Sequence, residues 1–419
     1  MKGILIFILA MVPLLVPAQQ VLTLEECLTL AETNYPLARQ KVLLEQQFQS
    51  EVNVLELQKL PKLDLNAQST YQSDVTRIPI ELPNADIQPP NKDQYRATLD
   101  VNQLIYNGGS IAANARLKQA ELKTRQQEVE VTIYQVKERV NGTYFKVLLL
   151  QEQEKLLDSK MKILQERAKE ALSAIRNGMA LPSSNQLLQA ELLLLEQQKI
   201  HLKYERKKAL ESLSSLIFKD IALSDTLLKP EILLASNTPL NRPELKLFEY
   251  KAQQLDISKE LIDKEKSPSL MGFAQAGYGN PGLNMLDNSF QEFYMVGLKF
   301  NWRLFDWGKN QEKKLGVEAL KQVVATEKET FVLNNEIQLQ EAWEDISKYK
   351  EILEQDAAIV NLREEVIASN TSQFQNGTIT SSAYIIDLNK LYDAKINQKL
   401  TEIQLVMSQA KYKLIKGDF

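Results

Sequence analysis

Two kinds of hydrophobic pattern alternate along the chain. Four short segments run apolar and polar by turns. In Tyr95–Gln103, residues Tyr95, Ala97, Leu99 and Val101 share one face, with Arg96, Thr98, Asp100 and Asn102 on the other. In Tyr294–Trp302, the apolar set Tyr294, Val296, Leu298, Phe300 and Trp302 opposes Met295, Gly297, Lys299 and Asn301. A period of two predicts strands with one apolar face, and Leu63–Tyr71 and Leu270–Tyr278 are their expected partners across the loops. Elsewhere Glu, Gln, Lys, Leu and Ala dominate, all strong helix formers. Only Gly142 interrupts the stretch from Gly109 to Asn177, and only Gly316 the stretch from Gly308 to Asn376. About 68 residues at ~1.5 Å each predict a rod of ~100 Å, longer than a single globular core needs. Gly178 and Gly377 stop these rods, and new helices begin near Ser183-Ser184 and Ser381-Ser382. Each rod therefore folds back on itself at a tight tip. Leu187, Leu188, Leu192 and Leu195 recur at helical spacing and read as coiled-coil packing positions.

The pattern occurs twice. Asn34-Tyr35-Pro36 recurs as Asn241-Arg242-Pro243, an offset of 207, and Leu60-Pro61-Lys62-Leu63 maps onto Ser267-Pro268-Ser269-Leu270 at the same offset. Further on the offset is 199. It carries Tyr95, Leu99 and Val101 onto Tyr294, Leu298 and Phe300, Tyr106-Asn107-Gly108-Gly109 onto Phe305-Asp306-Trp307-Gly308, and Asn177-Gly178 onto Asn376-Gly377. The change falls in one loop, Asp74–Asp93 against Gly279–Ser289. The first repeat is placed at 19–239, with helices about 23–59, 109–176 and 183–218 and hairpin strands about 61–107. The second is placed at 240–419, with helices about 241–266, 308–375 and 382–416 and hairpin strands about 268–306. Thr23 to Glu26 forms a capping-box pattern, and Pro36 and Pro243 suit a first helical turn.

Composition narrows the chemistry. With 14 Gly and 14 Pro in 419 residues there is little material for loops, and 44% apolar with 25% charged residues suits a folded chain. Fifty basic and 54 acidic residues leave a net charge of −4, giving no basic face for nucleic acid. One Cys (Cys27) and one His (His201) allow neither an internal disulfide nor a Cys/His zinc site, so no metal and no cofactor are expected. His201 lies in a Gln/Lys/Glu-rich helical stretch and Glu364-Glu365 on a solvated face, so the chain does not read as an enzyme. Asn107-Gly108-Gly109 lacks the Lys-Ser/Thr of a phosphate loop and reads as a strand-to-helix turn.

Lys2, an apolar run from Ile4 to Val16 and the small residue at Ala18 read as a secretory signal over residues 1–18. No later stretch offers 18 consecutive, predominantly apolar residues, so a membrane could be crossed only by strands. Strands of ~10 residues, apolar on one side and polar on the other, suit an outer-membrane barrel, with Phe300 and Trp302 where an aromatic girdle sits. Four strands cannot close, because known barrels begin at ~8. The barrel must be shared, and two, three or four copies each satisfy that requirement. The alternative is a secreted coiled-coil scaffold without a pore, whose hairpins pack on a soluble core.

The signal, the duplicated unit, the opening Leu22-Thr23-Leu24-Glu25-Glu26, the Asn-x-Pro repeat and the hairpin-ending Tyr106-Asn107-Gly108-Gly109 together resemble outer-membrane efflux proteins of the TolC type. The resemblance covers Gln19 to Phe419, and Gly377-Thr378-Ile379-Thr380 through Leu391-Tyr392-Asp393-Ala394-Lys395 is similar to the family's second coiled-coil tip. It implies a mostly helical fold with a β-barrel portion. The homotrimer would form one 12-stranded barrel in the outer membrane of a Gram-negative bacterium, continued by an α-helical barrel across the periplasm. It implies an exit duct for small molecules or proteins, served by an inner-membrane RND or ABC-type pump through a periplasmic adaptor protein. Lipid would contact Tyr95, Leu99, Val101, Tyr294, Val296, Leu298, Phe300 and Trp302. The adaptor would meet the tips at Asn177, Gly178, Met179, Asn376, Gly377 and Thr378. Where TolC-like channels carry two Asp residues near the periplasmic entrance, this chain has Ala383 and Ile386, with Asp387 one residue on. Asp387 is turned ~100° from that face of a 3.6-residue helix, so an apolar constriction is expected.

Overall fold

Pro36 carries no backbone N–H and disfavours a helical residue before it, and there the first helix ends. Tyr35 is extended, with φ −61° and ψ 135°. The stretch expected as one helix over 23–59 is thus three pieces: α1 (Leu24–Asn34), a 3-10 turn (Pro36–Arg39) and α2 (Gln40–Leu57). The computed structural model describes residues 21–76, 89–178, 181–234 and 239–419; the expected signal segment 1–18 and Met179 lie outside the described residues. A two-residue strand β1 (Val21–Leu22) precedes α1, whose N-terminus is capped by the Thr23 hydroxyl accepting from the Glu26 N–H at 3.2 Å. The first repeat continues with β2 (Lys62–Tyr71), β3 (Asp93–Tyr106), α3 (Ser110–Arg176), α4 (Pro182–Ile217) and the short β4 (Thr226–Leu227). The second has α5 (Pro243–Lys264), β5 (Ser269–Asn280), β6 (Gln291–Asn301), α6 (Lys309–Gln375) and α7 (Ser381–Lys416).

The long helices α3 and α6 have 67 residues each, and Gly142 and Gly316 lie inside them without a break. Compactness follows a division that cuts across the repeats. One unit takes the chain to Ala38 together with Thr132–Arg242 and Leu333–Phe419; the other takes Arg39–Val131 and Pro243–Val332.

In the first unit, β1 pairs in parallel with β4, and the buried Tyr144 hydroxyl lies 3.0 Å from the Leu22 carbonyl and 2.5 Å from that of Leu228. The Gln151 amide donates to the Leu227 carbonyl and accepts from its N–H, so both backbone groups of that strand residue are met inside the core. A second apolar cluster joins Leu157, Met161 and Leu164 of α3, Leu188, Leu192 and Leu195 of α4, and Tyr384 and Leu388 of α7. Leu187, expected to pack with its neighbours, is instead 48% exposed. One helix face holds three of the four leucines, and the residue before Leu188 necessarily turns ~100° away from it.

In the second unit, the four long strands form one antiparallel sheet in the order β2-β3-β5-β6. The hairpin partners are Leu65 with Leu99 and Leu63 with Val101, then Gly272 with Leu298 and Leu270 with Phe300. The central contact, β3 on β5, joins the two repeats, with Leu99 facing Ala276 and Val101 facing Ala274.

Candidate channel surfaces

One face of the sheet is a continuous apolar surface. Its cross-strand rows are Leu65-Leu99-Ala276-Tyr294 and Leu63-Val101-Ala274-Val296, because the period of two and this register bring the apolar sets together. Among the described residues nothing covers them: Tyr294, Val296 and Leu298 are 77%, 70% and 69% exposed. Tyr95, Leu99 and Phe300 are also exposed, and Val101 is half-buried. Trp302 is exposed too, but it lies one residue beyond the end of β6 and so is not a strand residue in the single chain. Aromatic rings close both ends of the face. Tyr71, Tyr95 and Tyr278 stand at one end, where Phe290 stacks between Tyr95 and Tyr278 with centroids 6.2 and 5.4 Å away. Tyr106, Phe300 and Trp302 stand at the other. Eleven residues separate Tyr95 from Tyr106 on β3, which at ~3.3 Å per residue and a tilt of ~40° spans ~28 Å, close to the ~25 Å apolar band of an outer-membrane barrel.

The opposite face is polar on β2 and β3. The Asp100 carboxylate accepts from Asn66 at 2.7 Å, Thr98 at 2.9 Å and Gln275 at 2.5 Å. On β5 and β6, two phenyl rings fill the space beside glycines: a Cβ added at Gly277 would stand 2.4 Å from the Phe293 ring, and one at Gly297 2.7 Å from Phe273. Arg96 lies over the Phe293 ring at 5.5 Å. Among the described residues both outer strands, β2 and β6, leave an edge of unpaired backbone N–H and C=O groups, which lipid cannot satisfy.

At the tips, Gly178 and Gly377 both take φ +70°, a left-handed angle that favours glycine, with open space around each. The Gly377 N–H reaches the Phe374 carbonyl at 3.0 Å and the Thr378 N–H that of Gln373 at 2.9 Å, a Schellman closure. Thr380 then caps α7 by accepting from the Ala383 N–H at 3.2 Å. Asn177, Gly178, Asn376, Gly377 and Thr378 are all exposed. On α7, Tyr384 and Leu388 are buried, while Ile386 points the other way and is 52% exposed. Ala383 is half-buried. Asp387 is held on the flank, accepting from Asn370 of α6 at 2.8 Å and from Lys390 at 3.1 Å.

Among the described residues, no helix is long and apolar enough to cross a membrane, and no group of three His, Cys, Asp or Glu side chains could hold a metal ion. The outer membrane efflux protein family model matches residues 28–217. Over that stretch, less than half of its length, the chain resembles the outer-membrane efflux proteins. Solved structures agree in fold. The outer membrane protein VceC of Vibrio cholerae is 14% identical at a TM-score of 0.65, over 94% of this chain and 96% of that one. The CmeC outer membrane channel of Campylobacter jejuni is 15% identical at 0.63, over 94% and 86%. The open MtrE outer membrane channel of Neisseria gonorrhoeae is 15% identical at 0.63, over 94% and 89%. No match is found among curated proteins. Those relatives are described as outer membrane proteins or channels, and at 14–15% identity the likeness shows a shared fold.

Three features of this chain are not legible in its sequence. The rings of Phe273 and Phe293 are directly opposite Gly297 and Gly277, a pairing visible only once the hairpin register is known. The Asp100 cluster needs the same register. The third is Lys160 of α3, 7% exposed, with its ammonium 3.5 Å from Glu191 of α4 and 4.5 Å over the Tyr392 ring of α7. Burial pulls its pKa below the ordinary lysine value, against the attraction of Glu191.

Proposed function

We propose that this chain assembles as a homotrimer whose twelve strands close one barrel, the exit duct of a tripartite efflux or type I secretion system. The observation that carries this reading is the sheet itself. It has an apolar face between two aromatic ends and two open edges, and only further copies can close it without exposing backbone to lipid. Each copy then contributes its exposed tips at Asn177-Gly178 and Asn376-Gly377, six per trimer, to a periplasmic adaptor protein, and an inner-membrane RND or ABC-type pump delivers the cargo. Outward-turned Ile386, beside Ala383 and with Asp387 tied to its own hairpin, supports an apolar constriction, which closes by excluding water. Purified protein reconstituted in planar bilayers should give discrete conductance steps. A protein that binds vesicles without conducting would favour the coiled-coil scaffold.

A further inference from the structure

The repeat symmetry specifies how one copy meets the next. Applied within the chain, it is accurate to the residue. Leu65 faces Leu99, and adding the offsets of 207 and 199 predicts that Gly272 faces Leu298, as observed. Leu63 faces Val101, and the same step predicts Leu270 facing Phe300, also observed. The contact between β3 and β5 joins the first repeat to the second, so its equivalent joins β6 of one copy to β2 of the following copy.

Carrying the β3–β5 register through the two offsets, we infer that β6 pairs antiparallel with β2 of a second copy, Leu298 facing that copy's Ser69 and Phe300 facing its Ala67. These pairs descend from Leu99 facing Ala276 and Val101 facing Ala274. The inference rests on the shared barrel proposed above. The sidedness agrees independently: Leu298 and Phe300 lie on the apolar face of β6, and Ser69 and Ala67 lie on that same face of β2. A slip of one residue would turn one strand's apolar side chains to the polar side.

The chain's own asymmetry supports the missing partner. β3 runs to Tyr106, and its last residues pair with β5 alone, Gln103 facing Gly272 and Tyr106 facing Leu270. Their equivalents in the second repeat are Trp302 and Phe305, yet β6 stops at Asn301. These residues lack strand structure because their partners, Leu65 and Leu63 of the next copy, are not in the chain. On assembly β6 extends to Phe305, which covers the exposed Leu63 and Leu65 edge. The symmetry stops at the turn that follows. A Cβ at Gly108 would stand 2.1 Å from that of Ser267, whereas the equivalent position holds Trp307 at φ +57°, so the neighbour's Leu60 stands farther off there.

Cysteine pairs test the register. Directly opposite strand residues have Cα atoms ~4.5–5.5 Å apart, within reach of a disulfide, whereas a shift of two residues exceeds its ~7 Å limit. The variant with Leu298→Cys and Ser69→Cys is oxidised with copper phenanthroline in vesicles, beside Leu298→Cys with Ala67→Cys and Leu298→Cys with Tyr71→Cys. The native Cys27, buried with its thiol pushed up to about 12 by desolvation, does not compete. The expected result is a covalent ladder of copies for the first pair and at least tenfold less for the other two. Preferential linkage of either shifted pair in an assembly of unchanged mass overturns the register alone. A monomer by light scattering overturns the shared barrel, and the seam with it.

Discussion

Val296 and Met295 are neighbours in sequence and face opposite sides of β6, so they give the sharpest mutational contrast. Val296 stands in the row with Val101, six residues from Tyr95 and five from Tyr106, which is the midplane between the two aromatic ends. Arginine at a barrel's lipid-facing midplane costs ~2–4 kcal/mol per chain, and three copies multiply this to ~6–12 kcal/mol per assembly. Val296→Arg should therefore deplete the assembled species severely. Met295, 43% exposed on the other face and in register with Gln275 beside Asp100, offers an arginine water and a nearby carboxylate. Met295→Arg should assemble nearly as the parent does. Phe300→Arg, at the aromatic end, should cost only ~0–1 kcal/mol per chain by the same depth dependence. The assay is the fraction of heat-resistant assembly after refolding into vesicles. Equal losses for Val296→Arg and Met295→Arg would refute the assignment of the lipid face. Thr98 is no substitute control despite its polar side, because it is 6% exposed beneath its neighbours.

Three further expectations follow from other parts of the molecule. Gly178→Trp or Gly377→Trp meets open space and only the left-handed backbone strain of ~1–2 kcal/mol, so assemblies should persist while export fails; loss of assembly would leave only a capping role. Trivalent cations added on the periplasmic side should change bilayer conductance little, and strong block removed by Asp387→Ala would show that Asp387 faces the lumen after all. Burial lowers Lys160 below its ordinary 10.5, so the unfolded chain holds more protons between the lowered value and 10.5, and stability rises with pH through that window. Lys160→Met should flatten this rise in thermal unfolding as pH climbs toward 10.5; an unchanged rise would contradict it.

Much of this architecture is written in the one-dimensional pattern. Period-two alternation marks β3 and β6 because, among the described residues, one side of each is left uncovered, leaving the apolar set unmixed. The offsets of 207 and 199 carry one hairpin's register onto the other, since a duplicated unit keeps its pairing, but the register itself comes from the structure. The break at Pro36 was equally readable from the lost N–H, yet helix-forming residues on both sides conceal it. Other features depend on residues far apart in sequence. Lys160, Glu191 and Tyr392 come from three helices, and none of them departs from the polar pattern of a solvated face. Compact units that cut across the repeats are likewise hidden, because α3 and α6 run from one unit into the other without a change in composition.

The central claim is that the sheet closes only with further copies, three in all. Native mass spectrometry of the protein extracted from outer membranes in a mild detergent measures this directly. The account predicts a single species of three chains that survives dilution, because each copy's open β2 and β6 edges are paired. A stable monomer would contradict it.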